Sequence, residues 1–380
     1  MRIHFAFLPA LVFGLATGMQ AQSLQQDRSV GKLEVVHLFG SGPIPTGVTV
    51  SRQGRIFLNF PHWGDNVEAT VVELKGDRLI PYPAELPQSG SADPAHRLLS
   101  VQSVVVDQKN RLWLLDTGRI EGALAPTGGA KLVGVDLSTD KVFRTILLPA
   151  DVAPANSYMN DVRFDYTRGT DGIAYLTDSS EFSHGLIAVD LATGRSWKRL
   201  THDPSTAADP SMQAVIEGEP VLATGPDGRL LRPRDASDGI ALSGDHRWIY
   251  YCPLFSRHLY RVEAGALANP SLNDETVVKT VEDLGEKGMS DGMESDAEGR
   301  VYYGDLENNS VRRRLPDGGV ELLAHDPRIL WADTFSLAHD GYLYFTANQL
   351  ERLPRFHGGR DERVYPYVLF RIKVDGTPTQ

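Results

Sequence analysis

One stretch of the chain reads Ser290-Asp-Gly-Met-Glu-Ser-Asp-Ala-Glu-Gly-Arg-Val-Tyr-Tyr-Gly-Asp305. It begins with polar residues and continues through a short strand-like run to a tight turn at Glu298-Gly299. A β-rich run and a terminal aspartate follow the turn. The pattern occurs six times, and the other copies open near these residues: Thr46, Gln102, Asn160, Asp238 and Asp333. Their spacing of roughly 40 to 75 residues lies within and above the range for the blades of a β-propeller.

Each copy continues into a second hairpin. After the second copy, residues 131–137 and 141–146 are β-rich runs around a Ser138-Thr-Asp140 turn, which indicates four antiparallel strands per unit. The sixth unit lacks a strand, and residues 32–39 supply one whose pairing would remove an exposed sheet edge. The sequence therefore predicts an all-β, six-bladed β-propeller of four-stranded antiparallel blades, with the last blade closed by the N-terminal strand.

Net charge, the N-terminal segment and the cysteine count limit the possible partners and location of the protein. The 380-residue chain has a formal net charge of −11, which argues against nucleic acid and anionic membrane surfaces as partners. Arg2 and the short apolar run of residues 5–16 predict a signal peptide over residues 1–21. We expect residues 22–380 to form a single propeller domain, secreted or periplasmic, monomeric and without a membrane span. Cys252 is the only cysteine, so no internal disulfide forms.

Long connections are predicted to crowd one face of the propeller. Both hairpin turns of each blade are expected to be tight, as at Gln53-Gly54. The other connections are long, and they include residues 80–100, 118–130, 200–237 and 349–366. Long loops on a rigid scaffold usually carry binding sites, so we expect a small-molecule ligand at this end of the central channel.

Polar residues open the inner strands at that same face. The predicted ligand-binding residues are Gln102, Asn160, Asp161, Asp238, Asp291 and Asp333. Carboxylates that share a narrow channel repel one another unless they are neutralised. Oxygen ligands from Asp and Asn suit hard cations, so one hypothesis is that Asn160, Asp238 and Asp291 bind one divalent cation, Ca²⁺ or Mg²⁺.

A second interpretation needs no cation. Aspartates at strand ends often accept hydrogen bonds from nearby backbone amides, and this is the interpretation favoured for Asp116, Asp178 and Asp305 at the ends of the second strands. Tyr158 and Trp331 precede two of the inner-strand openings. They either wall a pocket for a flat ligand or pack between blades.

Several segments in combination resemble the yellow / major royal jelly protein family. They are residues 104–118, Asn160-Asp161, residues 174–178, residues 238–243, Tyr250-Tyr251 and Pro253-Leu254. The resemblance covers nearly all of the chain after residue 21. It implies a secreted six-bladed propeller whose channel binds small organic ligands, often aromatic or amine. Some members are associated with dopachrome conversion, so the resemblance implies a dopachrome-tautomerase-like isomerase; others are non-catalytic.

A weaker similarity is to gluconolactonase / regucalcin-like propellers. Asn160-Asp161, Ser237-Asp-Gly239 and Ser290-Asp-Gly-Met293 are similar to that group's metal-bearing blade openings. That group also has a metal-binding glutamate opening its first blade, where this chain has Thr46-Gly47. This similarity implies an alternative, a metal-dependent lactonase-like hydrolase with Asp291 as the catalytic base. A non-catalytic ligand-binding protein is the third function left open.

Overall fold

Six four-stranded antiparallel sheets make up most of the structure, a computed structural model that describes residues 29–225 and 227–380. In five of the sheets the strands are neighbours in chain order, as in an up-and-down blade. The predicted fold class, a six-bladed β-propeller, is confirmed. The signal peptide predicted over residues 1–21 lies outside the described residues.

The first half of the chain forms one closing strand and three blades. The closing strand is β1 (Leu33–Phe39). The first blade contains β2 (Gly47–Val50), β3 (Ile56–Asn59), β4 (Val71–Lys75) and β5 (Arg78–Pro81). The second contains β6 (Val101–Val106), β7 (Arg111–Asp116), β8 (Lys131–Asp136) and β9 (Lys141–Leu147). The third contains β10 (Met159–Asp165), β11 (Ile173–Asp178), β12 (Gly185–Asp190) and β13 (Ser196–Arg199).

Two small hairpins separate the third and fourth blades. They are built from β14 (Val215–Ile216), β15 (Glu219–Pro220), β16 (Ala223–Thr224) and β17 (Leu230–Leu231). The fourth blade contains β18 (Ser237–Leu242), β19 (Trp248–Pro253), β20 (His258–Glu263) and β21 (Glu282–Glu286). The fifth contains β22 (Met293–Ser295), β23 (Val301–Asp305), β24 (Ser310–Arg314) and β25 (Val320–His325). The sixth contains β26 (Ala332–Leu337), β27 (Tyr342–Ala347) and β28 (Tyr367–Lys373).

Helical segments are short and lie in the connections. The α-helices are α1 (Ala264–Leu267) and α2 (Asp274–Val278). The 3₁₀ segments are Pro94–His96, Leu306–Asn308, Leu350–Arg352 and Pro354–Phe356.

The ring is closed by its first strand. β1 pairs antiparallel with β28, from Leu33 opposite Ile372 to Phe39 opposite Tyr367. The sixth sheet therefore has the strand order β1-β28-β27-β26, as the sequence predicted. Pairing β28 in this way removes a sheet edge that would otherwise be open to another chain.

The apolar cores lie between neighbouring blades. Trp113 of β7 stacks on Phe164 of β10 with 5.1 Å between ring centroids, and both side chains are buried. Such aromatic pairs add about 0.5–1.5 kcal/mol to the free energy gained from burial alone. This packing fixes the second blade against the third.

One predicted feature is wrong. The connection between β20 and β21 is not a tight turn, because it contains α1 and α2. The Tyr175 hydroxyl donates to the carbonyl of Ala264 over 2.9 Å, and Trp197 Nε1 donates to the carbonyl of Leu267 over 2.8 Å. These bonds from the third blade anchor an insertion on the face opposite the long loops. Nothing in the strand repeat indicated it.

Candidate functional site

A cavity of about 790 Å³ opens on the face that carries the long loops. Its apolar lining comes from residues on five loops: Trp63, Tyr158, Phe182, Leu254, Leu350 and Leu353. The residues at the openings of the inner strands form its polar part: Gln102, Asn160, Asp238 and Asp291. The expected position of a ligand site and this cavity thus coincide.

Hydrogen bonds link the aromatic wall to the polar part of the cavity. Trp63 Nε1 donates to the Tyr158 hydroxyl over 2.6 Å, and that hydroxyl donates to Gln102 Oε1 over 2.8 Å. Gln102 Nε2 then donates to Asn160 Oδ1 over 3.2 Å. Because each side chain is held by the next, the wall of the cavity is pre-formed rather than assembled around a ligand.

The same chain of hydrogen bonds ends in a pair of carboxyl groups. Asn160 Nδ2 donates to Asp238 Oδ2 over 2.5 Å, and Trp331 Nε1 donates to Asp291 Oδ2 over 2.7 Å. Between these two bonds, the carboxyl groups of Asp238 and Asp291 are close enough to share a proton. Two buried carboxylates beside each other repel, which favours a pair made of one carboxylic acid and one carboxylate.

Glycines allow the two aspartates to meet. A Cβ atom at Gly239 would lie 2.3 Å from the carbonyl oxygen of Asp291, and one at Gly292 would lie 2.7 Å from that of Asp333. The Asp-Gly sequence therefore lets neighbouring inner strands approach more closely than any side chain would permit. The repeat showed both Asp-Gly pairs, but it did not reveal the contact between the carboxyl groups.

β-Bulges orient the side chains of the residues that open the inner strands. The register with the second strand shifts near the start of β6, β10, β18 and β26. A bulge places an unpaired residue in the strand and turns its side chain, and bulges are frequent beside functional sites. In β10 the shift lies between Met159 and Val162, where Asn160 faces the cavity and Asp161 does not line it.

Burial sets the protonation of the carboxyl pair. Burial raises the pKa of Asp238 well above its usual value, and the negative charge of Asp291 raises it further. Burial also raises the pKa of Asp291, but the hydrogen bonds from Asp238 and Trp331 oppose that rise. The larger rise in the pKa of Asp238 favours the proton on Asp238 and the negative charge on Asp291.

Replacing Asp238 with asparagine is expected to stabilise the protein at alkaline pH. The folded state binds the Asp238 proton more tightly than the unfolded state, so stability is lost as pH rises from the ordinary aspartate pKa of about 4 through the raised folded-state pKa. Asparagine keeps a partner for Asn160 and cannot ionise. Thermal unfolding should give a Tm about 2 °C or more above wild type near pH 8, with a smaller difference near pH 4. The same difference at both pH values would contradict this account.

Two of the predicted ligand-binding residues are not part of the cavity lining. Asp161 Oδ1 accepts from the Ser103 hydroxyl over 2.6 Å and lies 3.3 Å from Arg163 Nη1. Asp333 Oδ2 accepts from Asn348 Nδ2 over 2.6 Å, and burial raises the pKa of Asp333 well above its usual value. Both side chains are buried and bonded to other side chains of the protein. Their role in ligand binding stays a prediction.

The hypothetical cation site consists of three adjacent residues, Asn160, Asp238 and Asp291. Their arrangement suits proton sharing, because Asn160 turns its amide nitrogen, a donor, toward Asp238. A cation would need the amide oxygen there instead. The first blade leaves no room for a side chain at Gly47, since a Cβ atom there would lie 1.9 Å from Asn59 Oδ1. Within residues 29–225 and 227–380, no group of three or more His, Cys, Asp and Glu side chains is arranged to hold a metal ion.

The aspartates that end the second strands follow two patterns. Asp116 accepts from the backbone amides of Leu99 and Ser100, and Asp178 accepts from that of Tyr158. The strand-end interpretation is confirmed for these two. It is wrong for Asp305, whose carboxylate binds the side chains of Asn308 and Arg312 instead. Asp178 also matters to the site, because it holds the backbone that carries Tyr158.

Three arginines line the cavity, and the sequence analysis did not identify them. They are Arg119, Arg234 and Arg355, which come from three different long loops. Their positions depend on how those loops fold over the channel, and the strand repeat contains no information about that. The cavity lining also includes the acids Glu121, Glu181 and Asp235.

Solved structures of other propellers share this fold. A gluconolactonase from Xanthomonas campestris matches with a TM-score of 0.52 and 14% identity, covering 90% of this chain and 89% of that one. A regucalcin from Agrobacterium tumefaciens, described as calcium-binding, matches with a TM-score of 0.53 and 14% identity, covering 90% of this chain and 97% of that one. At this level of identity the likeness shows the fold alone. In the part of the chain that the structure describes, no helix has the length and apolar character of a membrane span.

Sequence comparison identifies the family. Protein yellow of Drosophila erecta is 27% identical over 319 residues, which are 80% of this chain and 51% of the relative. The chain thus spans about half the length of the curated relatives it matches. The sequence model described as Major royal jelly protein matches residues 99–375, which covers most of the propeller. The resemblance seen in the sequence is confirmed, and the chain belongs to the major royal jelly protein family.

Proposed function

We propose that this protein is an exported isomerase that binds a small aromatic ligand at the mouth of the propeller channel and moves a proton within it. The observation that carries the proposal is the Asp238–Asp291 pair, an acid beside a base, facing a cavity with an aromatic wall. A cyclised catechol quinone of the dopachrome type is the substrate class that fits both this chemistry and the family.

The size and lining of the cavity support a flat organic ligand. Its volume of about 790 Å³ lies within the usual range for small-molecule sites. Trp63 and Tyr158 lie with 6.4 Å between their ring centroids and are joined by a hydrogen bond. Aromatic faces stack on a planar ligand, and the bonded hydroxyl keeps the Tyr158 ring in place.

Tautomerisation needs only the groups that the pair supplies. The Asp291 carboxylate removes a proton from a carbon of the substrate, and the electron pair of that C–H bond enters the conjugated system. The Asp238 carboxylic acid delivers its proton to the oxygen that gains this electron density. The substrate keeps its composition, and the proton now on Asp291 passes back to Asp238 through their shared hydrogen bond, which restores the starting state.

Assaying the wild-type protein with dopachrome tests this proposal. We expect the visible absorbance of the quinone to decay faster than in buffer, and mass spectrometry should find a product of unchanged mass. Saturable binding without faster decay would instead indicate a non-catalytic ligand-binding protein. No binding of any catechol, quinone or biogenic amine would overturn the proposal altogether.

A lactonase-like hydrolase is the second candidate. It is favoured by Asp238 Oδ1, a buried oxygen to which no other side chain or backbone group of the described residues donates. If Asn160 reversed its amide, it and the two aspartates would offer three oxygen ligands to Ca²⁺ or Mg²⁺, which would polarise a lactone carbonyl. Elemental analysis should then find one divalent ion in the wild type and none after Asp238→Asn with Asp291→Asn. Absence of the ion from both proteins rejects this candidate.

A further inference from the structure

Arg119 is held in a fixed position at the wall of the cavity. Its guanidinium donates to three backbone carbonyls: Nε to Ala123 over 2.9 Å, Nη1 to Asn156 over 3.1 Å and Nη2 to Gly122 over 2.9 Å. It also lies 5.8 Å from the centroid of the Tyr158 ring. Three bonds use three of the five N–H groups of a guanidinium, so two donors remain for a ligand.

The charge of Arg119 is not neutralised within the described part of the protein. Arg234 lies 3.8 Å from Glu181, and Arg355 lies 3.6 Å from Asp235. Arg119, in contrast, donates its side-chain hydrogen bonds only to carbonyl oxygens and forms no ion pair with a described carboxylate. Glu121 lines the same cavity but does not pair with Arg119. A fixed, unpaired cation beside an aromatic wall is an arrangement that favours an anionic ligand.

We propose that Arg119 is the specificity-determining residue of the site, and that it selects aromatic ligands that carry a carboxylate over those that lack one. This inference rests on the proposed function, because it concerns a ligand in the same cavity. Tyr158 connects Arg119 to the carboxyl pair. Its ring contacts Arg119, and its hydroxyl is linked to Asp238 through Gln102 and Asn160. A ring stacked there presents its carboxylate to Arg119 and a reactive carbon to Asp291.

Two probes that differ only in the carboxylate test the selection. Indoline-2-carboxylate and indoline are titrated into the wild-type protein by calorimetry. We expect the carboxylated probe to bind about 10- to 100-fold more tightly, the value of a charge-assisted hydrogen bond. Equal affinities overturn the role of Arg119 and leave the aromatic site standing. If neither probe binds, the proposed function fails and this inference fails with it.

Variants and chemical protection assign the preference to Arg119 itself. Arg119→Gln should remove the preference, whereas Arg247→Gln, a matched change at an exposed arginine that pairs with Glu263 and does not line the cavity, should retain it. Because Arg119 also ties down its own loop, a second measurement uses only the wild type. Indoline-2-carboxylate should slow modification of Arg119 by an arginine-specific dicarbonyl reagent, as read by mass spectrometry, and indoline should not. Equal protection by both probes overturns the proposal.

Discussion

Replacing Asp291 with asparagine is expected to lower kcat/KM for quinone isomerisation by about a hundredfold to ten-thousandfold, the range attributed to a positioned acid or base. Asparagine has nearly the same shape and accepts the 2.7 Å hydrogen bond from Trp331 Nε1 through its oxygen. It cannot remove a proton from carbon. The measurement is the rate of quinone decay as a function of substrate concentration, together with the Tm of each protein.

Asp171→Asn is the control for this change, because Asp171 is half exposed and pairs with Lys109 on the surface. It should leave the rate unchanged. The wild-type rate should follow a bell-shaped pH profile, since low pH protonates Asp291 and high pH removes the shared proton. Retention of activity within a few-fold by a folded Asp291→Asn protein would falsify the assignment of Asp291 as the base.

Removing Asp116 is expected to have the largest effect on stability. Lys131 Nζ lies 2.7 Å from Asp116 Oδ2, and both side chains are buried. Asp116→Ala leaves a buried ammonium group and three backbone amides, those of Leu99, Ser100 and Gly118, without their acceptor. Breaking a buried ion pair costs about 3–5 kcal/mol. Urea unfolding should show a correspondingly large fall in the free energy of unfolding.

Changing the lysine should cost less than changing the aspartate. Lys131→Met leaves the Asp116 carboxylate with its three amide donors, so part of its stabilisation remains. Lys141→Met is the matched control in the next strand of the same blade, where an exposed lysine lies 3.4 Å from Glu85. Such surface pairs contribute about 0–1 kcal/mol. Similar losses from all three variants would show that the buried pair has no special role.

The fold could be predicted because it depends on local patterns. A turn such as Glu298-Gly299 between β-rich runs specifies a hairpin, and repeating it specifies a blade. The spare strand was predicted over residues 32–39 by counting the strands of each blade, since an antiparallel blade with an open edge is unfavourable. The structure has it at Leu33–Phe39. The insertion containing α1 and α2 could not be predicted in this way, because side chains of another blade hold it in place.

The lining of the cavity was predicted in part for the same reason. Gln102, Asn160, Asp238 and Asp291 were identified because strand openings in a propeller meet at one end of the axis. What the repeat does not contain is the distance between residues of neighbouring blades. The contact between the carboxyl groups of Asp238 and Asp291, and the position of Arg119, depend on close backbone approach and loop folding. Those are properties of the assembled ring.

The pairing of β1 with β28 has a consequence for biosynthesis. Arg371 donates to Glu34 across this seam although the two residues are 337 positions apart in the chain. During translation β1 leaves the ribosome first, yet its partner is made last, so blades accumulate as an open arc with two unprotected edges. Folding of this kind, dominated by distant contacts, is slow and exposes edges to other chains. The ring therefore stays open, with β1 unpaired, until β28 has been made.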